Sequence, residues 1–361
     1  MHPNATFIDR AAVEAWDAWF RRRDGARLRD TTIEATWRRV ADAIAGDAAT
    51  GLHEELLAAL ASWRLLPDER ILATAGTAEA EWPVDACALV NAAVLVREPG
   101  TTRARFDRAR CVETAGLALR VLDAALAQAP RGAMLRPRVG VTGVADALAL
   151  LGLRYAGADA HAFVRELGRA LAEGCLAADV ALAREHGARV AFTQALRARA
   201  CGRGLPATLV AEAAQHGLRH AQVLALGAHP RLALLANNIA DALDPLHGPQ
   251  HAHAFPPDGR RVCSDGYART IAAAARREPG IVDTLERMPP LAQLALRGAL
   301  QPWLDAPIVQ PLRVARLPGG DERARVCDEA ALLGLGEVTW TLADGAEAAT
   351  SAATPKPAGA D

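Results

Sequence analysis

The chain is poor in aromatic side chains, which make up only 4% of its 361 residues. Burial therefore falls to Ala, Leu and Val within a hydrophobic content of 51%. Ala and Leu favour helices, so a helix-rich protein is expected. Charge of one sign is also lacking: 41 Lys+Arg oppose 42 Asp+Glu, a net charge of -1. General binding to nucleic acid or an anionic membrane feeds on clustered positive charge, so this balance argues against both. The one strongly basic stretch, "FRRRDGARLR" (20–29), reads as a solvated connection between two helices. No CxxC occurs, and the six cysteines (Cys87, Cys111, Cys175, Cys201, Cys263, Cys327) are scattered. Neither a disulfide framework nor a zinc site of the usual spacing is expected. No apolar run is long enough to span a bilayer without an interrupting charge. "MHPNATFIDR" lacks the basic-then-apolar order of a signal peptide, so a cytoplasmic location is expected. There is no internal repeat.

What is present is a succession of amphipathic helices. Ala11 to Phe20 has helical periodicity. Thr31 or Thr32 can cap a second helix, in which Ile33, Trp37, Val40 and Ile44 share one face. A third, "GLHEELLAALASWRLL", ends at Pro67. Ala86 to Val96 is a short strand candidate, stopped by Pro99 and Gly100. A helix ending before Pro130 follows, then a long helix stopped by Gly187 and another stopped by Gly217. "AQVLALGAHPRLALLANNIADALDP" reads as a strand, a loop over Gly227 to Pro230, and a helix. Leu246 to Gly259, rich in Pro, His and Gly, reads as a loop. Helices are expected around Tyr267–Arg277 and Leu291–Leu300, late strands at "PLRVARLP" and "GEVTWTLADG", and a disordered tail after Ala346.

The stretch "RVGVTGVADALALLGLRY" raises the question of a phosphate loop. Such a loop aims several backbone N–H groups at one point, usually with a cationic side chain behind them. Here only Gly140 and Gly143 are present, no lysine follows, and Asp146 would repel an anion. If Gly143 is the N-cap, Asp146 falls at N3 and complements the positive end of the helix dipole. A strand, a glycine turn and a capped helix are therefore expected.

The same words resemble the strand-turn-helix segment of the ribonucleotide reductase large chain, above all its adenosylcobalamin-dependent (class II) members. Five further segments resemble that family in order: "WRLLPDERILATAGT", "ALVNAAVLV", "FDRARCVETAGLALRVLDAAL", "EGCLAADVALAREHGARVAF" and "HGLRHAQVLALGAHPRLALLANNIADALDP". The likeness covers Trp37 to about Pro245 in pieces. It implies an α/β, helix-rich fold, a partial and reduced ribonucleotide-reductase-like barrel half with packed helices. The corresponding division is an N-terminal helical region (1–78), the reductase-like core (79–260), C-terminal helices and strands (261–345) and the tail (346–361).

The departures from that family bear on function. Its reducible-disulfide strand carries Asn-Cys, and here the pair is Asn91-Ala92. Its radical cysteine, with an Asn and a Glu, lies on a loop between that strand and the next helix. Here only Arg97 to Phe106 join the two, with no cysteine among them. The family's phosphate loop is replaced by "LGAHPRLA", without its Thr and Ser hydroxyls. The resemblance then leaves Gly227, Ala228, His229 and Arg231 as substrate-phosphate candidates. Cys111 and Cys175 lie mid-helix and read as core; Cys201, before "GRG", and Cys263, in the expected loop, could be reactive.

Other residues can be read without the resemblance. His247, His251 and His253 lie in one short stretch with Cys263 following, so a transition metal or merely solvated imidazoles are the alternatives. Asn237 and Asn238 read as holding a helix start. Trp16, Trp19, Trp37 and Trp63 read as core anchors. Three functional readings stay open. The chain is a non-catalytic homologue that binds a nucleotide or pairs with a full-length reductase; a reductase component whose partner chain supplies the cysteines, with adenosylcobalamin by resemblance; or a self-associating helical scaffold, for instance a homodimer.

Overall fold

The computed structural model describes residues 6–25, 27–46, 50–129, 134–274 and 284–342. In chain order the elements are α1 (Arg10–Ala15), which continues as a π-helical turn over Trp16–Phe20, then β1 (Arg23–Asp24), β2 (Arg27–Leu28), α2 (Ile33–Ala45) and α3 (Thr50–Ala61). Next come β3 (Leu65–Pro67), α4 (Glu69–Thr74), β4 (Cys87–Asn91), β5 (Val96–Arg97), β6 (Arg105–Phe106), α5 (Arg108–Leu126), β7 (Arg138–Thr142) and α6 (Val144–Leu151). The second half holds α7 (Ala158–His186), α8 (Gln194–Gly202), α9 (Ala207–His216), α10 (Pro230–Leu235), β8 (His251–Phe255), β9 (Arg260–Ser264), α11 (Tyr267–Ala274), α12 (Pro290–Leu300), β10 (Leu312–Val314), α13 (Gly320–Leu332) and β11 (Trp340–Leu342).

Local chemistry accounts for many of these boundaries. The Thr32 hydroxyl accepts the Ala35 N–H at the start of α2, and Ile33, Trp37, Val40 and Ile44 are all buried along its inner face. The 29-residue α7 ends at Gly187, whose φ of 85° breaks the helix. The 19-residue α5 lies across α7, and Gly174 lets the two backbones approach.

The main sheet has the order β3-β4-β7. β3 is antiparallel to β4, and β4 is parallel to β7 from Cys87↔Arg138 to Asn91↔Thr142. β4 is buried throughout and β7 at four of its five positions, as expected of parallel strands covered on both faces. The strand expected in "AQVLAL" is reduced to one bridge, Val139↔Leu224. At that bridge the N–H groups of Val223 and Leu224 both donate to the Asp305 carboxylate at 3.0 Å. Among the described residues the helix-rich α/β architecture therefore has small sheets and no closed barrel.

Three other expectations change. The strand read over Ala86–Val96 ends at Asn91 and turns through a 3-10 segment, Ala93–Leu95. The loop read over Leu246–Gly259 contains β8, paired antiparallel with β9. The helix read through "ANNIADALDP" stops at Leu235. The 20–29 connection is exposed at β1 and β2, as a solvated link should be. The late strands form as a parallel pair, Leu312↔Trp340 to Val314↔Leu342. The tail after Ala346 and residues 275–277 of the expected helix lie outside the described residues. One hydrophobic cluster runs from Trp16 to Ile308, crossing the boundaries read at 78 and 260. Among the described residues no helix is long and apolar enough to cross a membrane.

Candidate functional site

The glycine pair builds a turn. Gly140 lies inside β7, where an added Cβ would come within 3.0 Å of the Ala225 carbonyl oxygen. Gly143 is the N-cap of α6 with φ 69°, a left-handed conformation that glycine adopts freely. Its N–H donates to Ala240 O at 2.9 Å, so it is not aimed at a ligand. Asp146 falls in the first turn of α6, as read from the sequence, yet it is fully buried. Its carboxylate accepts the Ala240 N–H at 2.6 Å and the Ala268 N–H at 3.0 Å, tying α6 to two distant segments. Burial raises its pKa to about 6 in spite of those hydrogen bonds.

The phosphate candidates separate. His229 turns inward: Nδ1 is 3.8 Å from Cys87 Sγ, and its backbone N–H donates to Asp241 Oδ2 at 2.8 Å. Gly227 lies beneath that imidazole. Neither they nor Ala228 line the cavity described next, and of the four only Arg231 does. Its guanidinium is over the Trp19 ring, 5.3 Å from the centroid, and 3.9 Å from Glu69.

That cavity, about 330 Å³, is where α10, the β8–β9 hairpin, the π-helical turn and β10 meet. Trp19, Arg231, Asp241, His247, His251, His253 and Arg313 all line it. Trp19 is thus not a core anchor like Trp16, Trp37 and Trp63: it is only half-buried and offers a face to the cavity. The two arginines come from positions 82 residues apart, and Trp19 from more than 200 residues before either. No local motif could have announced this convergence. A period-2 signal was present for the hairpin: in "HAHAF" the histidines alternate with alanines, which places His251 and His253 on one face.

The imidazoles are packed together. His247 and His251 stack with centroids 3.9 Å apart and planes 11° apart, and His253 is 4.8 Å from His251 at 80°. Stacked rings direct their nitrogens sideways rather than toward one common point, and His247 Nε2 already accepts from Arg313 Nη1 at 2.8 Å. Cys263 pairs with Ala252 in the hairpin register, on the face opposite His251 and His253. Accordingly, among the described residues no group of three or more His, Cys, Asp or Glu is arranged to hold a metal ion.

Burial, then the Arg313 charge, pushes the His247 pKa down to about 2, and burial takes His253 down to about 4. His251 is lowered in the same direction by burial. His247 and His253 are therefore neutral at pH 7. Burial, with Asp244 nearby, raises Asp241. Asp244 itself is held by Arg297, Gln310 and Arg313 at 3.4, 2.9 and 3.3 Å. The cationic groups lining the cavity are thus the guanidiniums of Arg231, 3.9 Å from Glu69, and of Arg313, 3.3 Å from Asp244.

Asn237 and Asn238 close α10 rather than start a helix. Asn237 Oδ1 accepts the Ile8 N–H at 2.8 Å, and Asn238 Nδ2 donates to Ser264 Oγ at 2.9 Å. Cys87, Cys111 and Cys175 are buried, while Cys201, Cys263 and Cys327 are exposed. None of the six lines the cavity. A larger, mostly apolar cleft of about 630 Å³ lies beside residues 220–225. Its Arg138, Arg199 and His220 are already paired with Asp85, Asp305 and Asp123. No protein-family model matches the chain, and a search of curated proteins finds no significant match.

Proposed function

We propose that this chain is a non-catalytic, ribonucleotide-reductase-like binding protein whose ligand is a phosphorylated small molecule. A nucleotide is the class that the resemblance implies. The observation that carries this reading is the cavity itself. Two guanidiniums from separate elements face one concave space beside an aromatic ring, and burial favours the neutral form of Asp241, the one carboxyl lining that space among the described residues. Arginine suits phosphate because its planar fork donates two parallel hydrogen bonds, and an aromatic face suits a base or an apolar group. A volume of about 330 Å³ lies within the range of small-molecule sites.

Thiyl-radical reduction needs a thiol facing the sugar, and no thiol borders this cavity. An adenosylcobalamin corrin does not fit a space of this size, so no step is routed through that cofactor. On this reading β3, β4 and β7, with the bridged segment at Leu224, correspond to the remnant of the barrel half.

Thermal shift with nucleoside di- and triphosphates tests the binding claim. A rise in melting point is expected, and a flat response across all of them would refute it. Incubating a ribonucleotide with the chain, adenosylcobalamin and a dithiol tests the other half. Deoxyribonucleotide formed by the chain alone would overturn the non-catalytic reading.

A further inference from the structure

Two residues lining the cavity each carry a buried polar atom that makes no hydrogen bond: Asp241 Oδ1 and His253 Nε2. Asp241 is 7% exposed, and its other oxygen is occupied by the His229 N–H. Buried polar groups are almost always paired, and leaving one unpaired costs about 1–3 kcal/mol. Asp241 and His253 come from different segments, yet both border the space that Arg231 and Arg313 enter. Among the described residues, none of the other buried side-chain atoms without a partner belongs to a residue lining this cavity.

The chemistry of these two groups differs from that of the arginines. Burial keeps the His253 ring neutral, and burial also favours the protonated, neutral carboxyl of Asp241. Each can donate or accept. A further anion gains little beside them, and a cation would be repelled by Arg231 and Arg313. The group that satisfies a donor–acceptor pair in either arrangement is a hydroxyl, because it both donates and accepts.

We infer that the cavity selects a phosphate monoester carrying a free hydroxyl: Arg231 and Arg313 take the phosphate, and Asp241 Oδ1 and His253 Nε2 take the hydroxyl. This rests on the reading of the cavity as a phosphate site. It assigns Asp241 and His253 as specificity-determining residues.

The test is calorimetric titration of the full chain at pH 7 with glycerol 3-phosphate, propyl phosphate and inorganic phosphate. The two esters share phosphate and carbon number and differ in hydroxyls. Glycerol 3-phosphate should bind about tenfold tighter than propyl phosphate, the worth of one well-made hydrogen bond. His253→Leu should remove that difference, so that the two esters bind alike. Asp241→Ala should do the same; because Asp241 also holds His229, the His253 variant decides if the other fails to fold. Equal affinity for both esters in the wild type would overturn the inference and leave water as the partner of the two atoms. Binding of none of the three compounds would remove the phosphate reading, and this inference with it.

Discussion

Replacing Gly174 by alanine tests the packing that positions everything else. Gly174 lies on α7 where it crosses α5. A Cβ there would come within 3.0 Å of Ala115 Cβ, and closer still to the Val112 carbonyl oxygen. The carbonyl oxygen, the nearer of the two, sets the demand: the helices must separate by about 1 Å or more to restore ordinary contact. The obstacle is backbone and cannot rotate away, which puts the cost near the top of the usual overpacking range, about 3 kcal/mol. Against this, Gly→Ala in a helix returns about 1 kcal/mol. The net loss is about 2 kcal/mol. At about 2.1 cal/mol/K per residue, a chain of this length should lose roughly 3 °C in Tm. Circular dichroism melting of Gly174→Ala beside Gly202→Ala measures it. Nothing lies within 4 Å of the added methyl at Gly202, on α8, so that variant should be neutral or slightly stabilised. If Gly174→Ala melts at or above the wild type, the close α5–α7 crossing is wrong.

Asp179 gives a pH-dependent prediction. Burial raises its pKa to about 7 from an ordinary value of 3.8. The folded chain therefore holds a proton that the unfolded chain releases, and stability from this group is lost as pH rises from about 4 to 7. Asp179→Asn removes that loss, so the Tm of the variant minus that of the wild type should increase steadily between pH 4 and 8; a constant difference would refute it. Arg297→Met should cost on the order of 3–5 kcal/mol, because it takes a buried guanidinium from Asp244 and from the carbonyls of Gln310 and Pro311; denaturant unfolding reads it. Trp37→Ala should cost about 3–5 kcal/mol as a core truncation, whereas Trp19→Ala should cost much less stability but weaken nucleotide binding. Equal losses of stability in the two tryptophan variants would place Trp19 in the core after all.

Sequence periodicity and caps made most helices legible, because their determinants are local. Thr32, Gly143, Gly187 and Gly217 mark ends that depend on a few neighbouring residues. The shortness of the strand at Leu224 was not legible, since two of its N–H groups are taken by the Asp305 carboxylate, 81 residues away. The hairpin at His251 was obscured by the surrounding Pro and Gly, although its alternation was visible in "HAHAF". α13 carried no expectation at all. The three histidines and Arg231 were each noticed, but only the fold shows that they face one space together with Trp19, Asp241 and Arg313. His229 does not line that space: its ring lies beside the buried Cys87 and its N–H donates to Asp241.

The most direct measurement of the central claim is calorimetric titration of a nucleoside diphosphate into the wild type and Arg231→Ala, at low and moderate salt. The side chain of Arg231 is 58% exposed, so its removal should leave the fold intact. The account predicts wild-type binding that weakens as salt rises and falls at least about tenfold in the variant. Affinity that is indifferent to Arg231, or no binding at either salt, would contradict it.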